Sequence, residues 1–151
     1  MKSTKIVLLF LIALMGIGLA GCKNGLFQRR NKAYHGPARL ELNPLNAVVS
    51  GSGQIALKVQ LIGHQRKTDL PVNFSVDDSS TARQGTDYTI ATSSPVSIPA
   101  DSSSAVITIN ANNSKIDSNK VRTLYLSLDN NNKVQPAVNL KTFTLTIRGP
   151  H

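Results

Sequence analysis

The sequence predicts an antiparallel β-sandwich of about seven strands. Apolar residues alternate with polar ones in several short runs, and turn-forming residues separate these runs at short intervals. No window carries apolar residues at a convincing helical period, so no helix is expected to cross between parallel strands. The many Ser, Thr and Asn residues and the single glutamate also favour strands and turns over helices.

The chain begins with a segment that has the three parts of an export signal. Lys2 and Lys5 supply a positive start, residues 6–19 are uncharged and apolar, and two small residues precede Cys22. The apolar stretch is short for a membrane span, which takes roughly 20 apolar residues. We therefore predict a signal peptide over residues 1–21, with an uncleaved N-terminal anchor as the alternative.

The end of this segment, Leu19-Ala20-Gly21-Cys22, resembles a bacterial lipobox. In that family of signals the chain is cut before the cysteine, whose sulfur and amine then carry acyl chains. Each buried methylene contributes about 0.8 kcal/mol, so two or more chains anchor a protein stably. The resemblance implies that Cys22 is lipidated and that a membrane is one partner. Because the sequence has one cysteine, the mature chain is expected to fold without a disulfide.

Residues 22–38 are predicted to form a flexible basic tether, because they are polar, contain glycine and proline, and show no alternation. From Lys23 to Arg39 there are five cations and no acid. These charges either lie against anionic headgroups, each adding about 1 kcal/mol, or belong to an ordinary solvated linker. Both interpretations stay open. Nucleic acid is not an expected partner of an exported, anchored chain.

The mature chain is basic and long enough for one domain. The whole sequence has 17 lysines and arginines against eight aspartates and glutamates. Cleavage before Cys22 removes two of these lysines and leaves a net charge of +7. About 130 residues then remain, which suits a tether and one domain. We place this β-sandwich domain at residues 39–151.

Seven segments of the domain are predicted strands. The first, Arg39 to Val49, is bent at Asn43-Pro44, and the second, Gln54 to Leu61, has one apolar face. The others are centred on residues 72–76, 96–98, 104–110, 124–128 and 141–148. Each inward Leu, Ile or Phe contributes roughly 1.5–3 kcal/mol when buried, so about fifteen such positions can hold the domain together without a metal.

Three blocks of this domain resemble a Calx-beta domain. They are Ala82-Arg83-Gln84-Gly85-Thr86-Asp87-Tyr88, the strand pair from Val96 to Ile109, and the strand from Arg122 to Leu128. The resemblance spans about residues 54–148 and implies an immunoglobulin-like sandwich. The domain is also similar to those of small envelope lipoproteins of Bacteroidetes-type bacteria, in keeping with the lipobox.

The block that ends at Tyr88 has a structural explanation in residue chemistry alone. Gly85 permits a positive φ at a tight turn, and Asp87 can bond to nearby backbone amides. Tyr88 can seal one end of the core. We therefore expect these three residues to stabilise the fold.

Calcium binding is the functional alternative, because calcium-binding Calx-beta members cluster acidic residues in loops at one end of the sandwich. The matching candidates here are Asp77, Asp78, Asp87 and Asp117. Calcium takes six to eight oxygen ligands, several of them from carboxylates. Lys120 and Arg122 stand where such members carry acids. We therefore expect no cofactor, and expect Asp77 and Asp78 to form a turn at a strand end.

The residues do not suggest a catalytic site. His35 lies in the tether, His64 in a loop and His151 at the last position, so a triad or a histidine metal site would need improbable convergence. Tryptophan is absent, and no pair of carboxylates is marked as a glycosidase pair. We predict that the protein is not an enzyme; a small envelope hydrolase is the alternative.

Together these features predict a non-catalytic, lipid-anchored protein of the bacterial cell envelope, whose sandwich is a binding or structural module for an envelope protein. A calcium-dependent adhesion or surface module is the alternative. Lys23, next to the lipidated cysteine, is not one of the acidic sorting signals that other bacterial lipoproteins carry there. We therefore expect the outer membrane, facing the periplasm.

Overall fold

The computed structural model describes residues 34–150, which contain eleven strands and no helix. The strands are β1 (Arg39–Asn43), β2 (Asn46–Val49), β3 (Gly53–Ile62), β4 (Leu70–Val72), β5 (Phe74–Val76), β6 (Tyr88–Ile90), β7 (Val96–Ile98), β8 (Ser104–Ala111), β9 (Val121–Leu128), β10 (Gln135–Pro136) and β11 (Thr142–Arg148). The all-β prediction is confirmed. The predicted signal peptide, Cys22 and the tether before Tyr34 lie outside the described residues.

The strands form two main sheets that pack as a sandwich. The first sheet has the order β10-β1-β3-β8-β6, and the second has the order β2-β11-β9-β5. A small pair, β4 with β7, completes the fold. The inner faces of the two main sheets enclose one apolar core.

The core is built from the alternating positions that the sequence marks as inward. Every second residue of the long strands is buried, because successive side chains of a strand point to opposite faces. The buried residues of these strands are Leu57, Val59 and Leu61 on β3, Ile107, Ile109 and Ala111 on β8, Leu124, Leu126 and Leu128 on β9, and Phe143, Leu145 and Ile147 on β11.

The bent first strand is two strands in two different sheets. β1 pairs antiparallel with β3, whereas β2 pairs parallel with β11. Pro44 lies between them and has no N–H to offer a sheet, which is a physical reason for the break. A second parallel pair joins β1 to β10. The sequence predicts a wholly antiparallel sandwich, and these two parallel pairs show that this part of the prediction is wrong.

The predicted strand over residues 72–76 is also divided, because its two halves have different partners. β4 pairs with β7, and β5 pairs with β9. β6 and β10 fall in stretches that the sequence predicts as loops. Both are too short to show an alternating pattern, which explains why they escape prediction.

The two lateral sides of the sandwich are built differently. On one, the closed side, the chain passes directly from β1 to β2 and so joins the two sheets. Residues 137–140 cover β1 there: Ala137 N–H donates to the Leu40 carbonyl, and Leu42 N–H donates to the Leu140 carbonyl, each at 2.8 Å. On the other, the open side, the sheets end at β5 and β6, with no strand of residues 34–150 beyond either.

Candidate functional site

Asp87 is the one polar or charged residue among residues 34–150 that is fully buried, with an exposed fraction of 0%. Its carboxylate accepts three hydrogen bonds from Arg83. The backbone N–H of Arg83 lies 2.8 Å and its Nε 3.1 Å from Oδ2, and its Nη2 lies 3.2 Å from Oδ1. An arginine four residues earlier thus neutralises the buried carboxylate and closes the loop between β5 and β6.

Opposing effects set the pKa of the Asp87 carboxyl. Burial raises the pKa, but hydrogen bonds from Arg83 and the positive charges of Arg83 and Arg122 lower it, and the net result lies below the ordinary aspartate value. The same pairing raises the pKa of Arg83. Asp87 is therefore ionised at neutral pH, and its charge is compensated inside the fold.

The backbone of this loop confirms the structural roles predicted for Gly85, Asp87 and Tyr88. Gly85 has a φ of 79°, in the left-handed region that glycine enters most easily, and its N–H donates to the Tyr88 carbonyl at 2.7 Å. The Asp87 carboxylate accepts from the backbone N–H of Arg83 at 2.8 Å, as predicted for this side chain. The Tyr88 side chain is 3% exposed and belongs to the core, and burial raises its pKa.

Arg122 and Asp117 influence the charges of this loop from the other sheet and from the loop after β8. Arg122 lies opposite Ile147 in the second sheet, and its positive charge lowers the pKa of Asp87. Its Nε is buried without a hydrogen-bond partner. The negative charge of the Asp117 carboxylate contributes to raising the pKa of Arg83. This end of the sandwich therefore holds a small network of charges.

The four calcium candidates occupy different structural positions. Asp77 accepts a hydrogen bond from the Ser79 N–H at 2.8 Å and another from the Ser79 hydroxyl, and these bonds lower the pKa of Asp77. Asp78 is exposed in the same turn after β5, as the sequence predicts. The carboxylate of Asp87 is taken by Arg83. Within residues 34–150 no three Asp, Glu, His or Cys side chains come together as a metal site.

The described histidines are separate from this network. His35 and His64 are both exposed, His64 in the loop between β3 and β4. His151 lies outside the described residues.

A groove of about 330 Å³ runs along the open side, between the edge strands of the two sheets. β5 forms one wall, with buried Phe74 and half-buried Val76, and half-buried Ile90 forms the opposite wall. Gln84 and residues 92–94 complete the lining, which contains no charged side chain. The groove is larger than two other surface pockets, of about 250 and 190 Å³, near residues 130–133 and 119–121.

Two parts of this region escape prediction from the sequence. An arginine four residues before Asp87 is a signal for a local ion pair, and it could have identified Arg83 as its partner. The groove has no such signal. It exists because β5 and β6 end their sheets on the same side, and strand order cannot be derived from alternation.

Within residues 34–150 there is no helix with the length and apolar character to span a membrane. A comparison with protein-family models and with curated protein sequences finds no match to this chain.

Proposed function

We propose that the protein is a lipid-anchored component of the bacterial cell envelope, and that its β-sandwich is a non-catalytic binding or structural module. The observation that carries this proposal is Leu19-Ala20-Gly21-Cys22 at the end of an export-signal pattern. The first strand of the sandwich begins at Arg39, so a short segment separates Cys22 from the folded module. In this proposal Cys22 carries the lipid, and the module faces the periplasm from the outer membrane.

We also propose that the sandwich is immunoglobulin-like and of the Calx-beta type. An immunoglobulin domain has strands A, B, E and D in one sheet and strands C, F and G in the other. The strand order supports this arrangement if A, B, E and D correspond to β1, β3, β8 and β6, and if G, F and C correspond to β11, β9 and β5. The loop from Arg83 to Tyr88, in which Asp87 and Tyr88 are buried, carries the sequence block on which the resemblance rests.

A binding or structural role fits the chemistry of the described domain. Its one fully buried charged group, Asp87, is ion-paired inside the fold and is therefore a stabilising group. The groove on the open side is lined by apolar and neutral polar residues, which suits a binding surface. The fold alone does not assign the partner.

Replacing the lipidated residue tests the anchor. Cys22→Ala should move the protein from the membrane fraction to the soluble fraction of lysed cells, while the melting temperature of the purified protein stays unchanged. Gly25→Ala, which leaves the lipobox intact, is the matched control and should stay with the membranes. If Cys22→Ala also remains there, the N-terminal apolar segment is the anchor and the lipidation proposal fails. Ready digestion by protease added to intact cells would contradict the periplasmic orientation.

A further inference from the structure

We propose that the groove on the open side is a docking site for an extended, basic segment of a partner protein, which adds to β5 as a further strand of the second sheet. The inference rests on the proposed role of the sandwich as a binding module and names the surface and the chemistry of the partner. Addition of a strand to a sheet edge is a general mode of peptide recognition.

The hydrogen bonds of β5 show which backbone groups face the groove. The Asn73 carbonyl accepts from Asp129 N–H at 3.0 Å, and Asp77 N–H donates to the Tyr125 carbonyl at 2.9 Å. Successive residues of a strand turn their N–H and C=O groups to opposite sides, so every second residue between Asn73 and Asp77, beginning with Phe74, faces away from β9. The backbone groups of Phe74 and Val76 therefore point away from β9 and toward the groove.

Most of these groups are unpaired within the described chain. Phe74 N–H donates to Ser94 Oγ at 3.0 Å, but the Phe74 carbonyl and both backbone groups of Val76 have no partner among residues 34–150. The opposite edge is more closed, because the Tyr88 carbonyl of β6 already accepts from Gly85 N–H. Among the described residues, β5 thus offers an incoming strand three free backbone groups, against the two of Ile90 on β6.

The side chains of the groove also suit an incoming strand. Val76 and Ile90 are half-buried apolar residues that a partner's side chain would cover, and buried Phe74 also lines the groove. Edge strands that are protected from pairing often carry lysine or proline. β5 is only three residues long, and it contains neither lysine nor proline, so its edge is not protected in this way.

The charged residues around the groove indicate which charge a partner segment should carry. Arg83 is neutralised by Asp87, whereas three other aspartates directly follow β5 or bond to it. Asp77 and Asp78 directly follow β5, and Asp129 accepts a hydrogen bond from Ser75 at the centre of β5, at 2.6 Å. The open side is therefore an acidic face of a basic protein, and lysines or arginines beside the partner's apolar residues complement it.

A labelled synthetic peptide, Lys-Lys-Thr-Val-Thr-Val-Thr-Lys-Lys, tests the proposal when titrated by fluorescence anisotropy against the full chain in detergent. We expect saturable binding that a peptide with glutamate in place of every lysine does not show. Val76→Lys should weaken binding by roughly tenfold or more, because it sets a like charge at the docking edge. Val48→Lys on β2, 59% exposed at the closed side, is the matched control and should change affinity by less than about twofold.

Hydrogen exchange of the unaltered chain gives a readout that does not depend on a variant's stability. Peptide binding should slow exchange of the Val76 N–H, which has no partner among residues 34–150, and leave β2 unchanged. Equal binding of the glutamate peptide, protection at a different edge, or no binding of the lysine peptide each overturns the proposal. Full protection of the Val76 N–H in the free chain also overturns it, because the chain itself or a second copy would then fill the groove. The release of Cys22→Ala from membranes is measured in a separate experiment. Failure of the docking proposal therefore leaves the proposal of a lipid anchor unaffected.

Discussion

The closed and open sides of the sandwich differ in the bonds that hold the two sheets together. On the closed side the chain itself joins the sheets, and backbone hydrogen bonds such as Thr144 N–H to the Leu45 carbonyl, at 2.9 Å, continue across the crossing. On the open side β4, which is separated from β5 by one residue, pairs with β7, and beyond this pair a bond from backbone to side chain, Phe74 N–H to Ser94 Oγ, lies beside an open groove. The two sides therefore differ in kind: the chain crosses between the sheets on the closed side, and the open side carries the groove that we propose as a docking site.

The buried charge of the molecule follows the same division. Asp87 precedes β6 at one end of the open side, where it pairs with Arg83. The inward residues of the closed side, such as Leu40 and Leu42, are apolar and buried. Where strand pairing stops, a side-chain ion pair and its backbone bonds thus close the end of the core.

The largest expected effect comes from weakening the closed side. Leu40→Ala removes a side chain that is fully buried on β1, so the free energy of unfolding should fall by about 4 kcal/mol. Ile90→Ala on β6 of the open side should lower it by about 1.5 kcal/mol, because Ile90 is only half-buried. Urea titration followed by circular dichroism measures both. Equal losses for the two variants would contradict the larger contribution expected of the fully buried position on β1.

The next effect comes from breaking the ion pair on the open side. Asp87→Ala leaves the Arg83 N–H and guanidinium without their acceptor and should lower the free energy of unfolding by about 2 kcal/mol. The loss is moderate because the Arg83 side chain is 54% exposed and solvent screens its charge. Asp78→Ala, exposed in the turn after β5, is the control and should leave the melting temperature unchanged. A matching drop in both variants would mean that the burial of Asp87 contributes nothing.

A smaller effect is expected from the turn inside this loop. Gly85→Ala forces an L side chain into a φ of 79° and should destabilise the domain by about 1 kcal/mol, although open space surrounds the added Cβ. Gly51→Ala also meets open space, but Gly51 has no positive φ, so thermal melting should show no loss. A melting temperature for Gly85→Ala at or above that of the native chain would refute the conformational explanation.

The smallest effect is a dependence of stability on pH that Asp87 contributes. Because its folded-state pKa lies below the unfolded value of about 3.9, the ionised form stabilises the fold above that value. This contribution is lost as the pH falls through the folded-state pKa. The stability advantage of the native chain over Asp87→Asn should therefore be full at neutral pH and decline in strongly acidic buffer. An advantage that stays constant across that range would count against the lowered pKa.

Much of the fold follows from local patterns that can be read in the sequence. The inward positions of β3, β8, β9 and β11 are predicted because a strand alternates its side chains between two faces. The division of residues 39–49 between two sheets is not predicted. Alternation continues through both strands, and their separate partners lie far away in the chain.

The candidate site shows the same limit. The roles of Gly85, Asp87 and Tyr88 are predictable because the bonds that define them join residues within one short loop. The effect of Arg122 on the pKa of Asp87 is not predictable from the sequence. Arg122 lies about 35 residues further along the chain, on a strand of the other sheet. The groove likewise depends on which strands end the two sheets.

The sequence by itself determined the all-β class, the inward faces of the long strands and the structural roles of Gly85, Asp87 and Tyr88. Each depends on neighbouring residues, whose spacing alone sets face and turn. Only the tertiary structure decided that β5 and β6 end their sheets on one side and leave a groove there. The physical reason is that a strand's edge is free or paired according to distant segments, and the alternation of its own residues is the same in both cases.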